Sequence, residues 1–294
     1  MTQGLLQTIL GGAGTGAIYA LTGMSFALVF GKLKICSYLQ GDLAILAAYA
    51  AFWTFTLLGL DPFIALAALV PVFFLIGFLV QKIFMRPFMA MEVWQGRYQA
   101  QVMVTWGIGI IIMALEFIFF SGTYRIMGVS YRNSVIPLGG LKIPVVHLLA
   151  VTALIVIFAG LRLLMKKTSL GVSLRACADD RNTAMLTGVN YQRVCSITFG
   201  LSAAIAAAAG VFCALSGQIS PAQGLALTFK GWVAVIIGGM GSLGGVILAG
   251  LLIGLAEALT SFFWIPALKE AVIFALLLVL LIIKPSGLFS KSKA

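Results

Sequence analysis

Three ionisable side chains lie in or beside long apolar stretches of this sequence, where they could do chemistry. Glu116 lies near the end of an apolar run at about residues 101–120, and Glu257 lies deep in another at about 245–264. A charge at the middle of a bilayer costs at least about 2.5–3.5 kcal/mol on insertion scales, so each carboxylate needs a partner or a proton. Ion binding by both carboxylates would suit a self-sufficient secondary transporter or a channel. His147, the only histidine, begins a further apolar run, and we expect it at a membrane interface.

The sequence lacks the glycine-rich loop that binds nucleotide phosphates. Gly31-Lys32 is followed by Leu33 in place of Ser or Thr, and Phe26 occupies the position of the first glycine of such a loop. Any ATP must therefore bind to another chain. The four cysteines are scattered and include no CxxC pair, so we expect neither a disulfide framework nor a metal site.

One polar segment, residues 166–193, contains a helix-like stretch from about Leu174 to Leu186 that Gly188 would end. This stretch is too polar to insert into a membrane and too apolar to remain free in water. We therefore predict that it docks onto another protein. A solvated connector between two spans is the alternative.

Small and hydroxylated residues follow one face of the first apolar run. They recur every three or four residues, as the neighbours on one side of a helix do: Thr8, Gly12, Thr15, Tyr19, Thr22 and Ser25. Hydroxyl groups are costly in lipid, so we predict that this face contacts protein or water. Packing against another helix is the favoured interpretation, and the lining of a solute path is the alternative.

Five glycines lie within the eight residues from Gly238 to Gly245. Each glycine weakens a helix by roughly 1 kcal/mol relative to Ala, which predicts a break near the short apolar piece at 231–240. Transporters use broken helices to present backbone groups to a solute. The alternative is a tight cytoplasmic turn followed by close helix packing through Gly250 and Gly254.

Composition identifies the class of protein to which these features belong. Of the 294 residues, 62% are hydrophobic and 9% are charged, and the mean hydropathy is +1.12. A soluble domain carries about a quarter charged residues, which excludes a soluble enzyme, a nucleic-acid-binding protein and a secreted scaffold. The sequence predicts one transmembrane domain over residues 1–294, an all-α polytopic membrane protein with about eight full spans and one short or broken crossing. The predicted spans are residues 5–30, 41–59, 62–82, 101–120, 144–165, 194–216, 245–264 and 267–284.

Basic residues predict the orientation of these spans. Six Lys and Arg side chains lie between Arg162 and Arg193, and Lys284, Lys291 and Lys293 lie near the C-terminus. Cytoplasmic loops are enriched in Lys and Arg, so we place both segments in the cytoplasm and the N-terminus outside. Both placements hold only if residues 231–264 cross the membrane twice. The net charge of +11 fits basic loops beside anionic lipid, and we expect no nucleic-acid partner.

Four further stretches occur together and in order. They are Gly16 to Leu21 with Gly41 to Tyr49 after it, Arg86-Pro87, Arg175 to Asp180 with Ala184 and Gly188, and a C-terminal third with Pro221, Gly224, the glycine run and Lys284 to Phe289. Residues 182–188 also resemble a degenerate form of the EAA motif of ABC permeases. Over nearly its whole length, the chain resembles the permease subunits of bacterial branched-chain amino acid ABC importers.

The resemblance implies a permease subunit in a bacterial inner membrane, with no catalytic residue or cofactor on this chain. Its implied partners are a second permease in a heterodimer, two ATP-binding subunits that dock on the loop at about 166–193, and an extracytoplasmic solute-binding protein. ATP would bind to the partner subunits alone. The residues expected to couple the loop to the ATPases are Arg175, Ala178, Asp179, Asp180, Ala184 and Gly188.

One string departs from the family pattern. Where the family usually carries Asn-Phe-Ala-His-Gly, this chain reads Ser37-Tyr38-Leu39-Gln40-Gly41. The expected solute is therefore a branched-chain amino acid or a related small polar solute, such as urea, an amide or a small carboxylate. Candidates for the solute path are Thr15, Tyr19, Thr22, Ser37, Gln40, Gly238, Gly239 and Gly241. A membrane-embedded assembly subunit is a third alternative to the importer and to the self-sufficient transporter.

Overall fold

The protein is a bundle of long apolar helices. The computed structural model describes residues 2–90, 94–138, 141–284 and 287–289. Within these ranges, eight helices are long and apolar enough to cross a membrane, which confirms the predicted polytopic fold. The helices are α1 (Thr2–Leu33), α2 (Gln40–Leu58), α3 (Pro62–Val80, continued by a π-helical turn at Gln81–Met85), α4 (Trp94–Phe120), α5 (Val145–Lys167), α6 (Ser169–Asp179), α7 (Arg181–Leu186), α8 (Tyr191–Ser216), α9 (Gln223–Gly238), α10 (Leu243–Phe263) and α11 (Lys269–Ile283, preceded by a 3₁₀ turn at Pro266–Leu268).

Local sequence signals explain where α2 ends and α3 begins. Gly59 takes the left-handed conformation at φ +65°, which glycine adopts without steric cost, and it ends α2. Asp61 then caps α3, because its carboxylate accepts a hydrogen bond of 2.9 Å from the Phe63 N–H. Pro62 occupies the first helical position, where its missing N–H has no intrahelical acceptor.

Helices α1 and α8 are the most buried spans of the bundle, and glycines allow α1 and α10 to approach closely. A Cβ built on Gly16 would lie 2.8 Å from the Cα of Leu251, and one built on Gly254 would lie 2.4 Å from the Cα of Gly16. Real Cβ atoms do not approach other atoms this closely, so both positions require glycine. The close packing predicted for Gly250 and Gly254 is therefore present, and its partner is the small-residue face of α1.

The glycine run forms the turn between α9 and α10, which corrects our expectation of a break within a crossing at 231–240. Helix α9 begins earlier, at Gln223, and spans 16 residues, or about 24 Å at normal helix rise. It ends at Gly238, and the turn then places Gly239 at φ +92° and Gly241 at φ +101°. Helices α9 and α10 run antiparallel, so the predicted break lies at the end of a short apolar helix and not within it.

The segment at residues 34–39, between α1 and α2, is not helical and returns into the bundle. Gln40, the first residue of α2, donates a hydrogen bond of 3.3 Å to Ser202, which lies in the middle of α8. Side chains satisfy the backbone of this segment: Thr105 of α4 accepts from the Tyr38 N–H at 3.3 Å, and Thr228 of α9 donates to the Tyr38 carbonyl at 3.3 Å. Such partners are required where irregular backbone lies at membrane depth.

The two ends of the bundle differ in structure and charge. At the end that we call the basic end, the last turns of α5, helices α6 and α7 and the α9–α10 turn lie together, with Arg162, Lys166 and Arg175 around one cavity of about 400 Å³. The opposite end, which we call the hairpin end, carries two small antiparallel sheets that the sequence did not predict. Strand β1 (Arg125–Ile126) pairs with β4 (Gln218–Ile219), and β2 (Val135–Leu138) pairs with β3 (Leu141–Pro144). The basic residues near the C-terminus, Lys291 and Lys293, lie outside the described residues.

Candidate functional site

The most polar cluster inside the bundle joins α1, α9 and α10. Lys230 Nζ lies 2.6 Å from Glu257 Oε1, and the Tyr19 hydroxyl donates a hydrogen bond of 2.7 Å to Glu257 Oε2. Lys230 also donates to the Tyr19 hydroxyl at 3.2 Å and lies 4.8 Å from the centre of its ring. The partner that Glu257 was predicted to need is therefore a lysine that we did not single out. Because its charge is balanced, the carboxylate does not form the free ion site that a self-sufficient transporter would use.

The side chain of Lys230 also reaches a groove between α9 and α11, which we call the lysine groove. Its volume is about 350 Å³, and its lining includes two charged and several apolar side chains: Leu225, Phe229, Lys230, Glu270, Ile273 and Phe274. Glu270 lies in the first turn of α11, at the hairpin end. A charged side chain such as Lys230, within an apolar helix bundle, is costly where it faces lipid. The groove is therefore expected to face water or another protein.

A second, smaller pocket of about 60 Å³ lies next to the lysine groove and shares Leu225 with it. Asp42 lines this pocket together with the rings of Tyr38 and Trp106, which meet edge to face at 5.5 Å. Two glycines flank the Asp42 carboxylate: a Cβ built on Gly109 would lie 2.4 Å from one of its oxygens, and a Cβ on Gly224 would lie 2.3 Å from the other. Sequence reasoning missed Asp42, although a carboxylate at the start of an apolar span was a visible signal.

The predicted path residues of α1 and of the following segment are largely turned into the protein. Thr15 and Thr22 donate their hydroxyl hydrogens to carbonyls of their own helix, at 3.1 Å for Thr15 and 3.0 Å for Thr22. Ser37 and Gln40 are buried, and the Ser37 hydroxyl accepts from the Leu39 N–H. Of the predicted path residues on α1, only Tyr19 lies near the lysine groove, because its hydroxyl accepts a hydrogen bond from Lys230. A role for the others in the solute path stays a prediction.

Gly238, Gly239 and Gly241 lie at the basic end, away from Tyr19 and Lys230. Gly238 packs on Gly245 and Val246, where a Cβ would come within 2.6 Å of their backbone. A Cβ built on Gly31 of α1 would lie 2.8 Å from the Gly241 nitrogen. These glycines therefore let the α9–α10 turn fit tightly beneath α1, and the structure does not bring them together with the other predicted path residues.

Helices α6 and α7 cover the basic end, and they correct the single helix predicted at 174–186. The helix breaks at Asp180, whose carboxylate caps α7 by accepting from the Asn182 N–H at 2.9 Å and from the Thr183 hydroxyl at 2.5 Å. These hydrogen bonds hold the pKa of Asp180 below its usual value, and the bond from the Thr183 hydroxyl has the largest effect. Gly188 follows α7 at φ +87°, as its predicted role as a helix stop requires.

The other predicted coupling residues have distinct positions on this surface. The Arg175 guanidinium donates to the carbonyl of Met165, so it holds α6 against the end of α5. Ala184 is buried on the inner side of α7, Ala178 is half-buried, and Asp179 is exposed. The outer side of α7 carries apolar residues that we did not predict as coupling residues: Leu186 is 88% exposed and Met185 is 46% exposed. Their positions beyond Ala184 were readable from the sequence, but their exposure was not.

Glu116, the other predicted ion site, is buried in α4 with 1% of its surface exposed. Its Oε1 atom has no hydrogen-bond partner within the described ranges. His147 lies in the first turn of α5 and packs on Gly14 of α1, where a Cβ would come within 2.3 Å of the imidazole. The two groups lie on different helices and are not part of the Lys230 cluster. In the described part of the chain, no group of three metal-ligating side chains is found.

Comparison with known proteins gives the family of this chain. Residues 8–281 match the family described as the branched-chain amino acid transport system permease component. The chain is 28% identical to the high-affinity branched-chain amino acid transport system permease protein BraD of Pseudomonas aeruginosa, over 97% of this chain and 96% of that protein. It is 26% identical to the corresponding permease protein LivH of Escherichia coli (strain K12), again over 97% and 96%.

A more distant relative is the probable branched-chain amino acid transport permease protein LivH of Methanocaldococcus jannaschii, which is 25% identical over 84% of this chain and 78% of that protein. No solved structure matches the chain. The family match covers all eight spanning helices at least in part, from α1 to α11, together with α6 and α7. The chain therefore belongs to the permease-component family of branched-chain amino acid transport systems.

Proposed function

We propose that this chain is the transmembrane permease subunit of an ATP-driven importer for branched-chain amino acids or a related small polar solute. The importer would comprise a second permease, two ATP-binding subunits and an extracytoplasmic binding protein. The basic end would face the cytoplasm, with the C-terminus there and the N-terminus outside, in the inner membrane of a bacterium. ATP would be bound and hydrolysed on the partner subunits.

The observation that carries this proposal is the α6–α7 surface. Six basic side chains lie between Arg162 and Arg193, a distribution typical of a cytoplasmic face. On that face, α7 is held by caps at both ends and presents Leu186 with 88% of its surface exposed. Met185 and Leu186 are adjacent exposed apolar side chains on a helix outside the apolar spans, and exposed apolar patches of this kind mark protein interfaces. ATP binding in the partners would move this helix and thereby rock the spans.

The test is reconstitution of the importer from both permeases, the two ATP-binding subunits and the binding protein, with Leu186→Asp in this chain. A carboxylate at the centre of an apolar contact would be desolvated without a partner, so ATP-driven uptake of leucine should fall at least about tenfold. Insertion, measured by yield and by the detergent gel-filtration profile, should not change. Leu186→Met, which conserves volume and polarity, is the matched control and should support normal uptake.

Two further variants address the packing of the same helix. Ala184→Arg places a long cation on the buried side of α7, and Gly188→Pro removes the left-handed helix stop; both should abolish transport while the protein still inserts. Normal uptake by Leu186→Asp would contradict the docking role. Uptake by this chain alone in proteoliposomes with an ion gradient would contradict the ATP-driven mechanism and favour the self-sufficient transporter.

A further inference from the structure

The lysine groove contains a hydrogen-bond donor that the protein does not use. A lysine ammonium has three N–H donors. Lys230 directs one at Glu257 and one at the Tyr19 hydroxyl, and no third acceptor is found for it in the part of the chain that the structure describes. The side chain keeps 19% of its surface exposed, on the side of the groove. The remaining donor is therefore available to a ligand in the groove.

A carboxylate lies in the same groove. Glu270 is exposed in the first turn of α11, and no hydrogen bond or ion pair joins it to another residue of the described ranges. Glu270 and Lys230 both line this groove, so its acid and its base face the same cavity. The groove thus presents one cationic and one anionic group to the same space.

The walls between these two charges are apolar. Leu225, Phe229, Ile273 and Phe274 line the groove, and Val233 closes its inner part. A volume of about 350 Å³ lies within the range of small-molecule sites, which combine mostly apolar walls with a few polar groups that fix orientation. The fitting ligand carries an ammonium and a carboxylate close together, and an aliphatic side chain beside them.

We propose that the lysine groove is a binding site for a zwitterionic aliphatic amino acid, with Lys230 bound to its carboxylate and Glu270 bound to its ammonium group. Glu257 and Tyr19 are positioning residues, because they hold Lys230 with its free donor towards the groove. Leu225 and Phe229 contact the aliphatic side chain. This inference rests on the proposed import function and names the residues that would contact the solute.

The first test is transport by the reconstituted importer with Glu270→Gln. Loss of one charge-assisted hydrogen bond should raise the KM for leucine uptake about tenfold or more. ATP hydrolysis stimulated by the leucine-loaded binding protein should stay within about twofold of the unmodified complex, because α6 and α7 are untouched. Lys269→Gln, at the preceding residue of α11, is the control and should leave both measurements unchanged.

Lys230 needs a paired variant, because Lys230→Gln alone leaves Glu257 buried without its cation. The double variant Lys230→Gln with Glu257→Gln is neutral at both positions. It should fold and retain stimulated ATP hydrolysis, and its KM for leucine uptake should rise about as much as that of Glu270→Gln. Normal uptake by either variant, or an equal loss of uptake and stimulated hydrolysis in both, would overturn the proposed site. If the unmodified complex imports no branched-chain amino acid, amide, urea or small carboxylate with ATP, the proposed function fails; import of one of the other solutes but of no amino acid would overturn the proposed site alone.

The second test detects occupancy directly. Leu225→Cys in the two-permease, two-ATPase complex, held in nanodiscs without the binding protein, should react with a thiol reagent, and millimolar leucine should slow this reaction. Neither 4-methylpentanoate nor isopentylamine, each lacking one of the two charges, should do so. Protection by either analogue, failure of the reagent to reach the thiol, or protection that depends on phosphatidylethanolamine in place of leucine would contradict the proposal. The last outcome would assign the groove to a zwitterionic lipid headgroup.

Discussion

Lys230 of α9 lies 2.6 Å from Glu257 of α10, and this ion pair joins the two antiparallel helices that the glycine turn connects. The hydrogen bond of Tyr19 to the same carboxylate brings α1 into the contact. For a pair inside an apolar bundle, desolvation of both ions offsets much of their attraction. The pair therefore fixes the register of α9 against α10 and α1 more than it adds to the free energy of unfolding.

The first prediction concerns the cost of breaking that pair. Glu257→Gln leaves the Lys230 ammonium without its counter-charge, which should destabilise the protein by up to about 3 kcal/mol; the partial exposure of the lysine keeps the cost below that of a fully buried ion. Thermal unfolding in detergent measures the effect. The double variant with Lys230→Gln should recover most of the lost stability, and a double variant as unstable as the single one would contradict this account.

The second prediction concerns the close contact of α1 with α10. Gly16→Ala would place a Cβ 2.8 Å from the Cα of Leu251, so the two helices must separate, and the melting temperature should fall. A cost of about 1–3 kcal/mol is typical of such overpacking. Gly11→Ala is the matched control on the same helix, because nothing lies within 4 Å of its added Cβ. Alanine favours a helix over glycine by roughly 1 kcal/mol, so this control should be neutral or stabilising. Equal shifts for both would show that packing is not limiting.

The parts of the fold that sequence reasoning predicted are those with a strong local signal. Runs of apolar residues set the spans, and Gly188 set the end of the helix at residues 181–186. The break at Asp180 was missed because a mid-helix Asp is also compatible with a continuous helix, and only the Thr183 and Asn182 contacts decide it. The start of α9 at Gln223 was missed because its first turns mix polar and apolar residues.

The candidate site was less predictable, because it depends on contacts between residues far apart in the chain. Tyr19 was chosen from its position in a stripe, and Glu257 from its place in an apolar span, but the sequence does not show that they meet. Lys230 was passed over because it lies in the first turns of α9, which we did not recognise as helical. The glycine run has the same residue content whether it lines a path or makes a turn, and only the contacts of Gly238 and Gly241 distinguish the two.

The third prediction concerns the cap of α7. The pKa of Asp180 is lowered by hydrogen bonds to its ionised form, so the cap contributes stability above the ordinary pKa of aspartate and loses it as pH falls through the lower, folded-state pKa. Asp180→Ala should reduce binding-protein-stimulated ATP hydrolysis across about pH 5.5–8, a range in which the native cap does not titrate. Asp180→Asn, which can accept the same N–H bond, should preserve it. A native complex whose coupling titrated within that range would contradict the assignment of the cap.

The fourth prediction concerns the sidedness of the basic end and uses thiol labelling. The native Cys177 lies on α6, but the structure buries it to 7% exposure, and burial raises the pKa of its thiol. The thiolate is the reactive form, so Cys177 should label slowly at neutral pH and faster as pH rises.

Leu186→Cys, at an 88% exposed position on the same surface, should label rapidly with a membrane-impermeant maleimide. In inside-out vesicles of this chain expressed without the ATPases, that labelling should be complete, whereas right-side-out vesicles should show only the slow background. In detergent, where the reagent reaches both ends, addition of the ATPases should protect Leu186→Cys but leave the labelling of Lys142→Cys, on the hairpin end, unaffected. Rapid labelling of Leu186→Cys from the outside would reverse the orientation and, with it, the assignment of α7 as the helix that the ATPases bind.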